Sequence, residues 1–373
     1  MPELFEHVKI GGMSVPNRFV RSATFEGMAN GDGSCKDSVI ELTEELAKGE
    51  VGLIISSHLF VEPRGRVRAS QLGIHRDDLV SGLSRMTDVA HANGSAIIAQ
   101  IAHGGCTANE PAGEWVGPSA ITLPDGRSCR ELSKTEIKGI VEDFRRATVR
   151  AMDAGFDGVQ IHSAHAYLLS QFLSPYFNRR SDEYGGKLVN RARIHVQVLN
   201  AVRDVVGDDV PVLIKVNSDD FIDGGFTRKE LGEVAAMLES EGLTALEISG
   251  GTPLSPKERG FSRPGLQAPE EEVYYLDAAR LYKDAVSMPL VLVGGIRTYA
   301  VADKLVKDGV ADFIALSRPL IREPHLVKRW HDGDTATATC IHCNLCFGPA
   351  RSGEGMYCVA ERTQQEKAKS KNK

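Results

Sequence analysis

The chain lacks what would direct it to a membrane or a nucleic acid. No uninterrupted apolar run approaches the length needed to span a bilayer. The opening MPELFEHVKI does not follow the basic, apolar, small-residue order of a secretory signal, so the cytoplasm is the expected location. Basic residues form no block before the last few positions, and 44 Lys plus Arg against 50 Asp plus Glu leave a net charge of −6. That balance recommends neither a nucleic acid nor an anionic membrane as partner. The terminal EKAKSKNK reads as a solvated end. Two motifs are missing as well. No GxGxxG follows the first strand-like run, and no HExxH-like spacing accompanies the histidines.

What the chain does contain is a repeat of short, β-branched, apolar runs separated by stretches of helical periodicity. The runs are 19–24, 52–57, 95–103, 155–165, 211–220, 244–251, 289–296 and 313–320. Between the third and fourth, Ser133 and Glu136 make a capping box and Gly155 offers a helix stop. Continuous rather than alternating hydrophobicity implies strands covered on both faces, as in a parallel sheet. Eight βα units close naturally into a TIM (β/α)8 barrel, with a doubly wound open sheet as the competing arrangement. The barrel is expected over residues 1–335, with loop insertions at 104–132 and 166–187 that could form a lid or side wall. A Cys-rich extension with its charged tail is expected over 336–373.

Polar residues gather at the C-terminal ends of these runs, the face where such barrels carry their chemistry. Among them are Thr24, Gln100, His103, His162, His165, Lys215, Asn217, the pair Gly294-Gly295 and the pair Ser317-Arg318. The last two pairs follow strands seven and eight, where barrels commonly bind phosphate, against the alternative of a plain turn and an ion-paired arginine. His162, His165 and Tyr167 allow three readings: metal ligands, a pair of carbonyl-polarising donors beside a proton-donating phenol, or satisfied core histidines. Lys215 could form a Schiff base, neutralise an anionic cofactor, or pair with Asp219 or Asp220. Cys340, Cys343, Cys346 and Cys358 have the spacing C-x2-C-x2-C-x11-C, which suits a 4Fe-4S cluster or tetrahedral zinc, with free thiols as the remaining alternative.

The segment IHSAHAYLLSQFLSPYFNRRSDEYGGKLVNRAR resembles the hallmark of the Old Yellow Enzyme family of FMN-dependent barrel oxidoreductases. The likeness runs from VPNRFVRSAT through AIIAQIAHGG, EISGGT and VLVGGI to ALSRPLIREP. It implies FMN across the barrel mouth, reduced by NADH or NADPH, with hydride passed from N5 to the β-carbon of an enone or enal. By position His162 and His165 resemble the pair that holds the substrate carbonyl, and Tyr167 the proton donor to the α-carbon. Ser22, Ala23 and Thr24 would lie beside the flavin, Gln100 at its ring edge, Lys215 near N1, and Gly294, Gly295, Ser317 and Arg318 at its phosphate. Three departures stand out: Ser22-Ala23-Thr24 for the more usual Pro-Met-Thr/Cys, Lys215 for a common arginine, and Ser317 for a frequent glycine. Lysine keeps the charge with less hydrogen-bond geometry. The cysteine pattern is similar to that of the larger members 2,4-dienoyl-CoA reductase and trimethylamine dehydrogenase. The latter has Tyr at the position of His162, so the histidine pair favours carbonyl activation over amine oxidation. Those relatives continue into nucleotide-binding domains, whereas here electrons entering through a cluster would need a separate electron-transfer protein, or NAD(P)H would bind directly over the flavin. A flavin-binding protein without turnover is the third alternative, and a homo-oligomer is left open.

Overall fold

The computed structural model describes residues 1–108, 113–266 and 268–371. Residues 109–112 of the first insertion and the last two of the tail lie outside these. Eight parallel strands close into a barrel: β1 (Phe19–Arg21), β2 (Leu53–Phe60), β3 (Ala96–Ala102), β4 (Val159–Ser163), β5 (Val212–Asn217), β6 (Ala245–Ser249), β7 (Leu290–Leu292) and β8 (Phe313–Leu316). Each pairs with its neighbour in chain order, and β8 closes the ring on β1 through Ala315 opposite Val20. The architecture is the expected TIM barrel, and all eight runs hold a strand.

Helices cover the outer face. The longest, Lys134–Asp153, begins at the expected capping box: the Ser133 hydroxyl accepts from the Glu136 amide, and the Glu136 carboxylate accepts from the Ser133 amide. Gly155 follows it with φ +83°, the left-handed turn in which glycine carries no Cβ penalty. Inside the barrel, Val20, Leu53, Ile55, Ile98, Leu213, Val291 and Phe313 make dry lower layers. A hairpin of Val8–Ile10 and Met13–Val15 packs Ile10, Met13 and Val15 against them. The Gly12 amide donates to the Asp209 carbonyl, so the hairpin plugs the N-terminal end. The mouth at the other end is left as the open face.

The insertions behave differently from the sequence reading. Segment 104–132 folds a three-stranded sheet from Val116–Gly117, Ile121–Thr122 and Ser128–Glu131. It closes over its own apolar cluster of Cys106, Ile121, Leu123 and Cys129, joined by Ala166 and Phe177, and Cys106 and Cys129 are disulfide-bonded. Having its own cluster to cover, it turns most of its side chains away from the mouth. The tail is helical through Val359–Lys371. No helix among the described residues is long and apolar enough to cross a membrane.

Candidate active site

Barrel register sets the site, because in a parallel ladder paired residues present their side chains to the same face. Lys215 on β5 is paired with His162 on β4 and with Glu247 on β6. Gln100 on β3 is paired with Gln160 on β4 and with His58 on β2. These residues form a polar layer above the dry ones. The Lys215 ammonium meets the Glu247 carboxylate at 2.8 Å, and Glu247 is fully buried. The same carboxylate accepts from the Ser22 hydroxyl at 2.6 Å and from the Gln160 amide at 2.8 Å, while Gln100 donates to Gln160 at 2.7 Å. Lys215 therefore does not pair with Asp219 or Asp220, as one reading had it. Asp220 instead accepts from Asn217 and from the Phe226 amide. Glu247 escaped the sequence reading because it sits mid-strand, where TALEISGG shows one acid in an apolar run.

A cavity of about 270 Å³ opens above this layer. It is lined by Ser22, Ala23, Thr24, Gln100, His162, His165, Tyr167, Lys215, Gly295, Ser317 and Arg318, all anticipated from sequence. Gly294 stands just behind, with φ +145°, and Gly295 has φ +81°. A Cβ on Gly295 would come within 2.6 Å of Leu266 and 2.9 Å of Tyr274, so only glycine fits this turn. Thr24 donates to the Ser22 carbonyl and shares a 2.8 Å hydroxyl contact with Ser317. Among the described residues of the insertions, Thr107 and Tyr167 join the lining. Other parts of the wall include Phe25, His58 and Arg68, then Phe261 and Tyr274, and His342, Phe347 and Arg351 of the C-terminal extension. His103 is not at the mouth; it is buried against Glu62 at 2.7 Å.

His162 and His165 sit 5.3 Å apart between ring centroids, and the Tyr167 ring stands edge-on to His162 at 4.6 Å. His165 has φ +61°, uncommon for a residue with a Cβ. The Asn217 side chain accepts from its backbone amide and holds it there, while its Nε2 shares a 2.7 Å contact with Ser249. His162 Nδ1 is buried without a hydrogen-bond partner among the described residues. Burial first, and then the neighbouring imidazoles and Lys215, push both imidazoles well below the ordinary histidine range, so both are neutral. Burial likewise pushes the Tyr167 phenol up, against the pull of Arg68, so it keeps its proton.

His58 was missed because the sequence reading ends strand two at Ser57. A bulge between Ile55 and His58 carries that strand on to Phe60 and turns the imidazole into the cavity. The Val67 amide donates to Gln71 Oε1 at 2.6 Å, which fixes the orientation of that side-chain amide. Gln71 Nε2 then donates to His58 Nδ1 at 2.7 Å. In the neutral tautomer this network assigns, the proton is on Nε2, which donates to the Tyr167 hydroxyl at 3.2 Å. Burial holds the His58 pKa down at about 4. The phenol oxygen accepts from one side and its own O–H is left to donate into the cavity.

Cys340, Cys343, Cys346 and Cys358 are free thiols around one small cavity beside Arg318. Among the described residues no three His, Cys, Asp or Glu side chains converge to metal-ligand distance. Burial pushes Cys340 up and Cys346 to about 11, and charge on neighbouring cysteines adds to both shifts. A bound cation would favour the thiolate form of these clustered cysteines, and in that respect the set would suit a metal or cluster. Left-handed backbone at His342 and Asn344 wraps the loop, and Asn344 accepts from Arg318 at 2.6 Å and donates to the Ser262 carbonyl.

Residues 3–336 match the NADH:flavin oxidoreductase / NADH oxidase family. The chain belongs to this family. It is the Old Yellow Enzyme family of the sequence reading, and that resemblance is borne out. The chain is 35% identical over 356 residues to the NADH oxidase of Thermoanaerobacter brockii, covering 93% of this chain and 54% of that one. It is 33% identical over 395 residues to the 4,4'-dithiodibutanoate disulfide reductase of Rhodococcus erythropolis, with 94% of each covered. A solved structure of 2-naphthoyl-CoA reductase superposes with a TM-score of 0.89 at 30% identity, covering 95% of this chain and 56% of that one. The chain thus spans about half the length of the first and third.

The cradle fits the FMN that the family binds. It combines a glycine turn with no room for a Cβ, a buried arginine, and Ser, Thr, Gln and Lys side chains in one cavity. Gly295→Ala is expected to purify with less than half the wild-type flavin per chain, read from absorbance after denaturation; full occupancy would remove this turn from the cradle.

A pH dependence follows from the buried imidazoles. His58, His162, His165 and His195 are all held neutral in the fold, His195 at about 3, and unfolded histidine titrates near 6.5. Below that value the unfolded chain binds more protons, so stability is full above about pH 6.5 and is lost as the pH falls towards 4. Each imidazole contributes a slope of about 1.4 kcal/mol per pH unit. Glu26, pushed up to about 7 by burial, acts in the opposite sense with a single proton. Melting temperatures should therefore fall steadily from pH 6.5 to 4.5; a flat profile would mean that the imidazoles are not held neutral.

Proposed function

We propose that the chain is an FMN-dependent reductase of activated alkenes, taking hydride from NADH or NADPH and acting on an α,β-unsaturated carbonyl compound. The observation that carries this reading is the pairing of a phenol whose proton faces the cavity with a neutral histidine whose ring nitrogen has no partner. Bound FMN supplies the hydride chemistry. Gly294, Gly295, Ser317 and Arg318 would hold its phosphate, with Ser22, Ala23, Thr24, Gln100 and Lys215 against its ring. His162 and His165 bind the substrate carbonyl oxygen and draw electron density toward it, and Tyr167 gives its proton to the α-carbon. A general acid placed in this way contributes about 10²–10⁴-fold to rate. Neutral imidazoles suit the task, because they donate through N–H without placing a fixed charge beside the carbonyl.

A second reading rests on the cysteine cavity. The barrel, 1–335, and the extension, 336–373, share Arg318, which borders both cavities. With Cys340, Cys343, Cys346 and Cys358 as ligands of a 4Fe-4S cluster, the extension would exchange electrons with a partner protein. Zinc in the same place would make it a structural clip.

Two experiments test these readings. In an anaerobic absorbance trace, the flavin is expected to bleach with NADPH or NADH and to return when 2-cyclohexenone is added. Tyr167→Phe should slow the return at least a hundredfold while bleaching proceeds at nearly the wild-type rate. Equal losses in both steps, or no return in the wild type, would overturn the assignment. Anaerobically purified protein is expected to carry about four iron and four sulfide per chain; neither metal nor sulfide would leave the cysteines as plain thiols.

A further inference from the structure

The charge balance of the cavity leaves one element unaccounted for. Four cationic side chains line it, Arg68, Lys215, Arg318 and Arg351, and no Asp or Glu is among the lining residues described. Lys215 is matched by Glu247 from behind the wall. Arg318 donates to the Arg263 carbonyl and to Asn344, next to the glycine turn where a phosphate would claim its remaining donors. Arg68 and Arg351 have no such match. The Arg68 side chain is half-buried and makes no hydrogen bond or ion pair among the described residues. Arg351 is exposed and lies over the Phe347 ring at 5.3 Å.

A guanidinium drawn partly out of water with five unused donors is unfavourable unless something anionic meets it. Arg68 is also held in place. Its carbonyl accepts from the Gln71 amide and from Arg66 Nε. Gln71 is the residue that orients His58 against Tyr167, so one short loop positions both the proton donor's support and this unmatched charge. Arg68 is close enough for its charge to act on the Tyr167 hydroxyl.

Given the alkene-reductase reading above, we propose that Arg68 is an anion subsite that receives a carboxylate carried by the substrate. The preferred substrates are then unsaturated oxo acids rather than neutral enones. A planar guanidinium takes a carboxylate through two parallel hydrogen bonds, which fixes orientation as well as charge. With the carboxylate on Arg68 and the ketone oxygen on His162 and His165, such a substrate is anchored at two points, with Tyr167 near both. Arg351 adds a second, more exposed positive charge at the mouth.

The test uses the flavin-loaded enzyme and a matched pair of compounds. Calorimetric titration is carried out with 4-oxopentanoate, a saturated product analogue, and with its methyl ester. The acid is expected to bind the wild type at least tenfold more tightly than the ester. Arg68→Gln should reduce that preference to about twofold or less, and Arg68→Lys should restore part of it. An acid no tighter than the ester, or a preference unmoved by Arg68→Gln, would overturn the proposal. If Arg68→Gln fails to fold, the wild-type preference and its loss with rising salt decide the matter. Crotonyl-CoA binding that depends on Arg68, with no acid preference, would assign the subsite to a phosphate and overturn the carboxylate. Turnover of 4-oxopent-2-enoate is measured separately. If the acid binds through Arg68 but its double bond is not reduced, the alkene reading fails and the anion subsite stands.

Discussion

The structure depends on one buried charge pair. Lys215 and Glu247 lie side by side on adjacent strands inside the barrel, each 5% exposed or less through its side chain. Withdrawing two charges from water costs several kcal/mol per ion, and the mutual attraction offsets this only when the remaining hydrogen-bonding capacity is met. Here it is met by Ser22, the residue after β1, and Gln160 from β4, and Gln160 in turn takes Gln100 from β3. The pair thereby links five strands in one layer. It leaves the cavity floor with dipoles whose directions are set before any ligand arrives, the kind of preorganisation that stabilises developing charge without rearrangement. The dry layers below and the polar layer above are two halves of the same requirement.

Above the floor, the wall is built by pieces of chain far apart in sequence. Strand β4 delivers His162 and the turn after it His165 and Tyr167, the 63–71 loop delivers Val67 and Arg68, and the extension delivers His342, Phe347 and Arg351. Asn344 ties the cysteine loop to Arg318 and Ser262, so the extension forms part of the cavity wall and is not a free appendage. Any change in what the thiols hold would be felt at Arg318, one residue from Ser317. His342, buried with both ring nitrogens unpartnered and held down at about 3 by burial, sits on this same seam.

Much of this was legible in the sequence because the barrel's chemistry is carried at strand ends, where polar residues interrupt apolar runs. Gln100, His162, Lys215 and Ser317 could be picked out for that reason. What remained hidden follows from pairing across strands. Glu247 and Gln160 are central to the floor network, yet each sits mid-run, and only the register reveals that they face Lys215 and Gln100. His58 lay beyond a bulge that no local pattern announces. The insertions were expected to wall the mouth on account of their length, but 104–132 has enough apolar side chains to cover itself. The extension supplies part of the wall through His342, Phe347 and Arg351. Helix signals fared better: the Ser133 capping box and the Gly155 stop are local, and local chemistry decides them.

Closure of the barrel by β1 against β8 has a consequence for how the chain is made. Strands β1 to β4 can pair in the order they are synthesised, but Val20 meets Ala315 only after nearly the whole chain exists. At about 5–20 residues per second, the roughly 300 intervening residues take on the order of 15–60 s to appear. Throughout that interval the growing sheet has an unpaired edge on each side, and for most of it Glu247 is not yet present to meet Ser22. The nascent protein is therefore an open, edge-exposed sheet for most of its synthesis, and escape from aggregation depends on whatever covers β1 until β8 arrives.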